Sequence, residues 1–261
     1  SGETADTLAA LRFVRGRADL VASLVNVGTS SIARESDVAL AIMAGVEVSV
    51  ASTKAYVNQL GILALLALHA ATQRGAMSPA QAGAELEALR HLPEQMRQTL
   101  TLDPAFARSA ARLAEARSAL FLGRGVMYAT ALEAALKLKE LSYIHAEAYA
   151  SGELKHGPIA LVDRTMPVLV FAPHDALFDK TVSNMQEVMA RGGQVTLITD
   201  AAGAAQAAEG TECVLTLPTA GRLAAPILHA IPAQMLAYHT AVAKGTDVDQ
   251  PRNLAKSVTV E

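Results

Sequence analysis

Short, continuously apolar, β-rich runs alternate with longer helical stretches, and this alternation constrains the fold more than any other feature of the chain. Residues 20–27, 38–43, 118–122, 166–172, 195–199 and 213–217 read as strands. Residues 4–15, 52–74, 104–117, 127–143, 178–191 and 226–243 read as helical, 30–37 as a short helix or turn, and 79–98 as one or two helices interrupted at Pro93. Short strands separated by helices argue for a parallel sheet covered on both faces. The runs are apolar throughout rather than alternating, as expected where both sheet faces are buried. The expected fold class is α/β, in two three-layer α/β/α units with parallel sheets.

The units are expected to meet near residues 93–103. That gives a first domain at 1–97, a second at 98–245 and a polar tail at 246–261. The second unit reads as complete. The first opens directly at a helix, although a parallel unit normally feeds such a helix from a strand. Its opening strand is therefore expected ahead of Ser1, leaving this unit incomplete at its N-terminus. The start Ser1-Gly2-Glu3-Thr4, without Met, likewise points to a longer parent chain.

Hydrophobic residues make up 51% of the 261 and charged residues 18%, which excludes a disordered chain. A net charge of −3 offers no footprint for nucleic acid. One cysteine, Cys213, excludes an internal disulfide framework and a four-cysteine zinc site, and fits a reducing, cytoplasmic setting. Mean hydropathy is positive, at +0.27. The most apolar run, residues 60–71, falls short of the ~20 residues a membrane span needs, so it reads as a buried helix and no membrane association is expected. No pair of histidines has convincing metal-ligand spacing, and no metal is expected.

Five segments could carry chemistry. Ser1 and Thr4 stand at a helix N-terminus, where free N–H groups and the helix dipole favour an anion. Such residues are also ordinary helix caps, and the tetrapeptide alone favours that reading. Gly28-Thr29-Ser30-Ser31, just after a strand, is a second cradle with the same alternative. Glu133, Lys137 and Glu140 share one helix face, as a solvated ion-pair stripe or as a base tuned by a lysine. The apolar residues between them, Ala134, Ala135, Leu136 and Leu138, argue for burial, and buried charges need partners or a task. His156, before Gly157-Pro158, reads as a rigid-loop histidine suited to acid–base work or simply bonded to backbone. Lys256 is either a solvated tail lysine or, if partly desolvated, an amine nucleophile.

In order along the chain stand SGETADTLAAL, RESD, VASTKAY, FLGRG, ALEAALKLKELSYIHAEAYASGELKHGP and KGTDVDQPRNLAKSVTVE. Together they make a chain that closely resembles the isomerase part of the glutamine–fructose-6-phosphate aminotransferases (isomerizing), over essentially its whole length. The resemblance implies two flavodoxin-like sugar-isomerase (SIS) domains. It implies fructose 6-phosphate as substrate, glucosamine 6-phosphate as product and no cofactor. By the same resemblance Ser1 and Thr4 bind the sugar phosphate and Val50 lines the sugar. Glu140 moves a proton between C1 and C2, and Lys137 moves protons among hydroxyls. His156 opens the sugar ring from a neighbouring subunit, so a homodimer is expected, and Lys256 forms a Schiff base with the open ketose.

Family members begin with a glutaminase domain whose nucleophile is an N-terminal cysteine. Cys213 lies inside the second unit and cannot be that group, so the glutaminase is expected elsewhere in the full-length chain. Two other readings compete: a stand-alone SIS isomerase or deaminase, and a non-catalytic module that binds sugar phosphates. Lys137, Glu140, His156 and Lys256 together weigh against the last, since binding alone requires no Schiff-base lysine.

Overall fold

The computed structural model describes residues 2–257. The elements run α1 (Ala5–Val14), β1 (Ala22–Val25), α2 (Ser31–Glu35), β2 (Val38–Ala41), α3 (Lys54–Gln73), α4 (Pro79–Leu100) and α5 (Asp103–Glu115). They continue β3 (Ser118–Gly123), α6 (Val126–Ser142), β4 (His145–Ala150), β5 (Pro167–Phe171), α7 (Phe178–Met189), β6 (Gln194–Asp200), α8 (Ala201–Ala207), β7 (Cys213–Leu217) and α9 (Ala225–Lys244). Two short 3₁₀ turns, Ser151–His156 and Pro158–Leu161, lie between β4 and β5. Two compact units result: the chain through His69 together with the residues from Asp249 onward, and Ala70–Val248.

In the second unit five parallel strands take the order β4-β3-β5-β6-β7. Leu122, Leu169, Val170 and Leu197 have no exposed surface, as the continuous apolar runs require. Alternate residues feed opposite faces. Leu120, Leu122, Val168 and Val170 join Phe178, Val182 and Met185 of α7 in one core cluster. On the other face α9 packs against α5 and α6. Each fully buried large apolar side chain contributes about 1.5–3 kcal/mol. Gly123 ends β3 where α6 crosses closely: a Cβ there would lie 2.1 Å from the Met127 carbonyl oxygen. Only glycine lets the helix start so near the strand.

In the first unit β1 and β2 pair in parallel, Ala22 with Val38 through Val25 with Ala41. Leu11, Val25, Ile32 and Ala33 form its core cluster. Gly2, at φ +95°, leads into α1 where a Cβ would fall 2.3 Å from Ser30 Oγ.

Two expectations are corrected, and two elements are added. Residues 60–71 do not form a buried helix: α3 is 20 residues long, only Ala64 and Leu68 are buried, and Leu63, Leu65 and Leu66 are exposed. A run apolar on every side cannot hide all of its faces against neighbours on one. By length and composition alone α3 could span a membrane, with a mean hydropathy of 1.3. Pro93 does not interrupt α4, which runs through it from a capping box at Ser78 and Gln81. Proline removes one helical N–H and disfavours a helix interior, but the flanking turns can continue. Finally, β4 and α8 escaped the sequence reading. β4 is an edge strand built largely of alanine, and α8 is a short helix capped by Asp200, whose carboxylate accepts from the Ala202 and Gly203 amides at 3.1 Å.

His229 on α9 is 2% exposed and faces Phe171, with ring centroids 6.4 Å apart. Its Nδ1 donates to the Ala225 carbonyl at 2.8 Å. Burial pushes its pKa down to about 4, against that hydrogen bond and the charges of Asp200 and Asp175. The unfolded ring titrates near 6.5, so the neutral buried ring supports folding fully above that pH. Below it the unfolded chain takes up a proton that the folded chain refuses, and the contribution is lost by about pH 4. The full window is worth about 3 kcal/mol. Urea unfolding at pH 7 and pH 5 should show the native protein losing about 2 kcal/mol more than His229→Leu. Equal losses would contradict this account.

Candidate active site

A cavity of about 570 Å³ lies in the first unit, running along β1 from Val21 to Asn26 and lined also by α1 and by the loop after β2. Thr4, Thr7, Val25, Asn26, Val50 and Lys256 are among its lining residues. Thr4 caps α1 by backbone position, yet its side chain makes no capping hydrogen bond. The first turn of α1 therefore has no side-chain cap from Thr4, and a helix N-terminus of this kind favours an anion. Ser1 lies outside the described residues.

Two asparagines shape the loop that follows β2. Asn26 Nδ2 donates to the Gly45 carbonyl at 2.6 Å, and its Oδ1 accepts from the Ala44 amide at 3.0 Å. Asn58 Nδ2 donates to the Ile42 carbonyl at 2.9 Å. The loop thus delivers Glu47 and Val50 to the cavity. The Val50 amide donates to the Asp249 carbonyl at 2.9 Å, which ties the tail to this loop.

Lys256 is exposed yet held by two hydrogen bonds. Its Nζ donates to Glu47 Oε2 at 2.8 Å and to the Ser49 carbonyl at 2.6 Å. Its side chain is 35% exposed and that of Glu47 is 7% exposed. Burial would raise the Glu47 carboxyl, but the Lys256 ammonium and the Thr53 and Ala55 amides outweigh it and hold the group below its ordinary value. Glu47 is a carboxylate at neutral pH. Sequence reading missed this residue. The signal was present: Glu47 is the sole charge in residues 38–53, set between two valines.

The charged stripe on α6 is buried, as the apolar residues between its members suggested. Lys137 is 3% exposed. Its Nζ lies 2.5 Å from Glu140 Oε2 and 3.5 Å from Glu133 Oε1. Burial pushes the Glu133 carboxyl up, against the opposing pull of Lys137. One ammonium thus serves two carboxylates, of which Glu140 is the more exposed, at 22% against 13%. Such a cluster can hold and pass a proton. His156 ends the first 3₁₀ turn, with its side chain exposed and Gly157 at φ +147° behind it.

The second proposed anion cradle is already filled from within. The Ser31 amide donates to Glu3 Oε1 at 2.8 Å, and Ser30 Oγ accepts from the Ala33 amide at 3.3 Å. Gly28–Ser31 is therefore a capped turn rather than a ligand site. The structure brings Thr4, Val50 and Lys256 to one cavity. It brings Lys137 and Glu140 together on α6 of the other unit, with His156 on that unit's surface.

The SIS domain model matches residues 1–69 and 112–244. A glutamine–fructose-6-phosphate aminotransferase (isomerizing) from Bradyrhizobium diazoefficiens is 55% identical over all of this chain, which covers 43% of that relative. One from Brucella abortus is 54% identical with the same coverage. The chain thus spans less than half the length of these curated relatives. Among solved structures, the C-terminal domain of glucosamine-fructose-6-phosphate aminotransferase from Francisella tularensis superposes with a TM-score of 0.92 at 45% identity, covering 96% of this chain and 70% of that one. A glucosamine-6-phosphate deaminase from Thermotoga maritima gives 0.73 at 25% identity, covering 98% and 72%.

Proposed function

Because the chain belongs to the SIS domain family, we propose that it carries the isomerase chemistry of a glutamine–fructose-6-phosphate aminotransferase. Fructose 6-phosphate and ammonia would become glucosamine 6-phosphate, the ammonia coming from a glutaminase domain of the full-length protein. The observation that carries this reading is Lys256, an amine held in a cavity with an open helix N-terminus at Thr4.

The roles follow from the groups. The phosphate binds at Ser1, Thr4 and the first turn of α1, which fixes one end of the sugar while the other reacts. Val50 packs against the sugar. His156 opens the ring, its exposed side chain serving a second copy of the chain in a homodimer. Lys256 attacks the ketose carbonyl and ammonia later displaces it. Glu140 carries the proton between C1 and C2, with Lys137 beside it relaying protons among hydroxyls. The tail expected from residue 246 serves the first unit, with which the residues from Asp249 onward pack. A phosphorylated sugar and a free Cys213 thiol suit the cytoplasm.

The intact protein that carries this chain, given fructose 6-phosphate and ammonium, is expected to form glucosamine 6-phosphate. Absence of both amino sugar and ketose–aldose interconversion would overturn the proposal. The reverse assay, ammonia release from glucosamine 6-phosphate, separates a synthase from a deaminase by its preferred direction.

A further inference from the structure

Glu47 is anchored from one side and open on the other. Oε1 accepts from the Thr53 amide at 2.9 Å, the Ala55 amide at 3.1 Å and Thr53 Oγ1 at 3.3 Å. These donors stand at the start of α3, where the helix dipole also favours an anion. Oε2 is left to Lys256 Nζ at 2.8 Å. The carboxylate is thus fixed by one oxygen and presents the other to a single amine. The loop that bears it is itself held by Asn26 and Asn58. A surface ion pair would need none of this support, and Glu47 is nearly buried.

An ammonium is not a nucleophile. Before Lys256 can attack a carbonyl it must lose a proton, and Glu47 is the carboxylate in contact with it. We propose that Glu47 is the counter-ion and proton carrier of Lys256 during iminium formation. The proposal rests on the reading of Lys256 as the Schiff-base lysine. One proton passes from Nζ to Glu47 Oε2. The Nζ lone pair then forms a bond to the sugar C2, and the carbonyl π pair moves onto its oxygen. A second proton shifts from nitrogen to that oxygen, giving a neutral carbinolamine. Glu47 returns its proton to the hydroxyl, which leaves as water while the nitrogen lone pair closes the C=N bond. Ammonium and ketone have become iminium and water, with the single positive charge kept. Glu47 ends as a carboxylate beside the iminium cation.

The test uses the intact protein and two probes. Fructose 6-phosphate with borohydride reports imine formation through a reduced adduct on Lys256. A hexitol 6-phosphate, which has no carbonyl, reports binding alone. Glu47→Gln keeps an oxygen for the Thr53 and Ala55 amides but cannot take a proton. It is expected to slow adduct formation by about 10²-fold, the usual yield of a positioned proton carrier, and to leave hexitol phosphate affinity within about two-fold. Glu47→Asp, which keeps the carboxylate at shorter reach, should recover part of the rate. Trapping of Glu47→Gln at the native rate would overturn the proposal. So would loss of hexitol phosphate binding in step with trapping, since Glu47 would then only shape the cavity. If the native protein itself forms no adduct on Lys256, the Schiff-base reading fails instead, and the two failures are told apart.

Discussion

Glu140→Gln should bind fructose 6-phosphate as the native protein does, yet move the C1–C2 proton about 10²–10⁴-fold more slowly. The substitution takes away a base and very little else. Lys137 keeps Glu133 at 3.5 Å, so the buried ammonium is not stranded without a counter-charge, and the fold should survive. Glu133 is the more enclosed of the two carboxyls, 13% exposed against 22%, and is not expected to stand in for Glu140 as the working base. Exchange of solvent deuterium into the sugar phosphate, followed by mass spectrometry, reads the step directly. Glu133→Gln is the control and should slow exchange less than about ten-fold. Exchange at the native rate in Glu140→Gln would take the proton-transfer role away from Glu140.

Lys256→Arg should have the larger effect, a fall in amino-sugar formation on the order of 10³-fold or more. Arginine keeps the positive charge and can still pair with Glu47, so the tail should stay docked. Its guanidinium is permanently protonated and cannot form an imine. A loss with arginine as deep as the loss with alanine would mean that chemistry, not charge, is what Lys256 supplies. If Lys256→Arg retains synthesis, the lysine acts as a counter-charge to substrate and the covalent route is wrong.

Much of this is legible in the sequence. β3, β5 and β6 are buried on both faces, so their apolar runs are unbroken and easy to find. The α6 stripe was legible because an α-helix places residues i, i+4 and i+7 on one face, and the apolar spacers announced its burial. β4 was not legible, because an edge strand of alanine and polar residues carries neither a continuous run nor a strong β preference. The burial of α3 was misjudged because hydropathy reports what a helix is made of, not how much neighbouring surface covers it. Glu47 was missed for a different reason. Its meaning depends on Lys256, 209 residues away, and no local spacing connects them. What could be read was its oddity, a lone charge among valines. Conversely, Gly28–Ser31 reads equally as a ligand cradle or a capped turn, and Glu3, 28 residues away in the chain, decides for the turn.

The account turns on one bond. The intact protein should be mixed with fructose 6-phosphate, reduced with borohydride, digested and mapped by mass spectrometry. A hexose phosphate joined through C2 to Nζ of Lys256, and missing from Lys256→Arg, is the predicted result. No adduct, or an adduct on a different lysine, would contradict it.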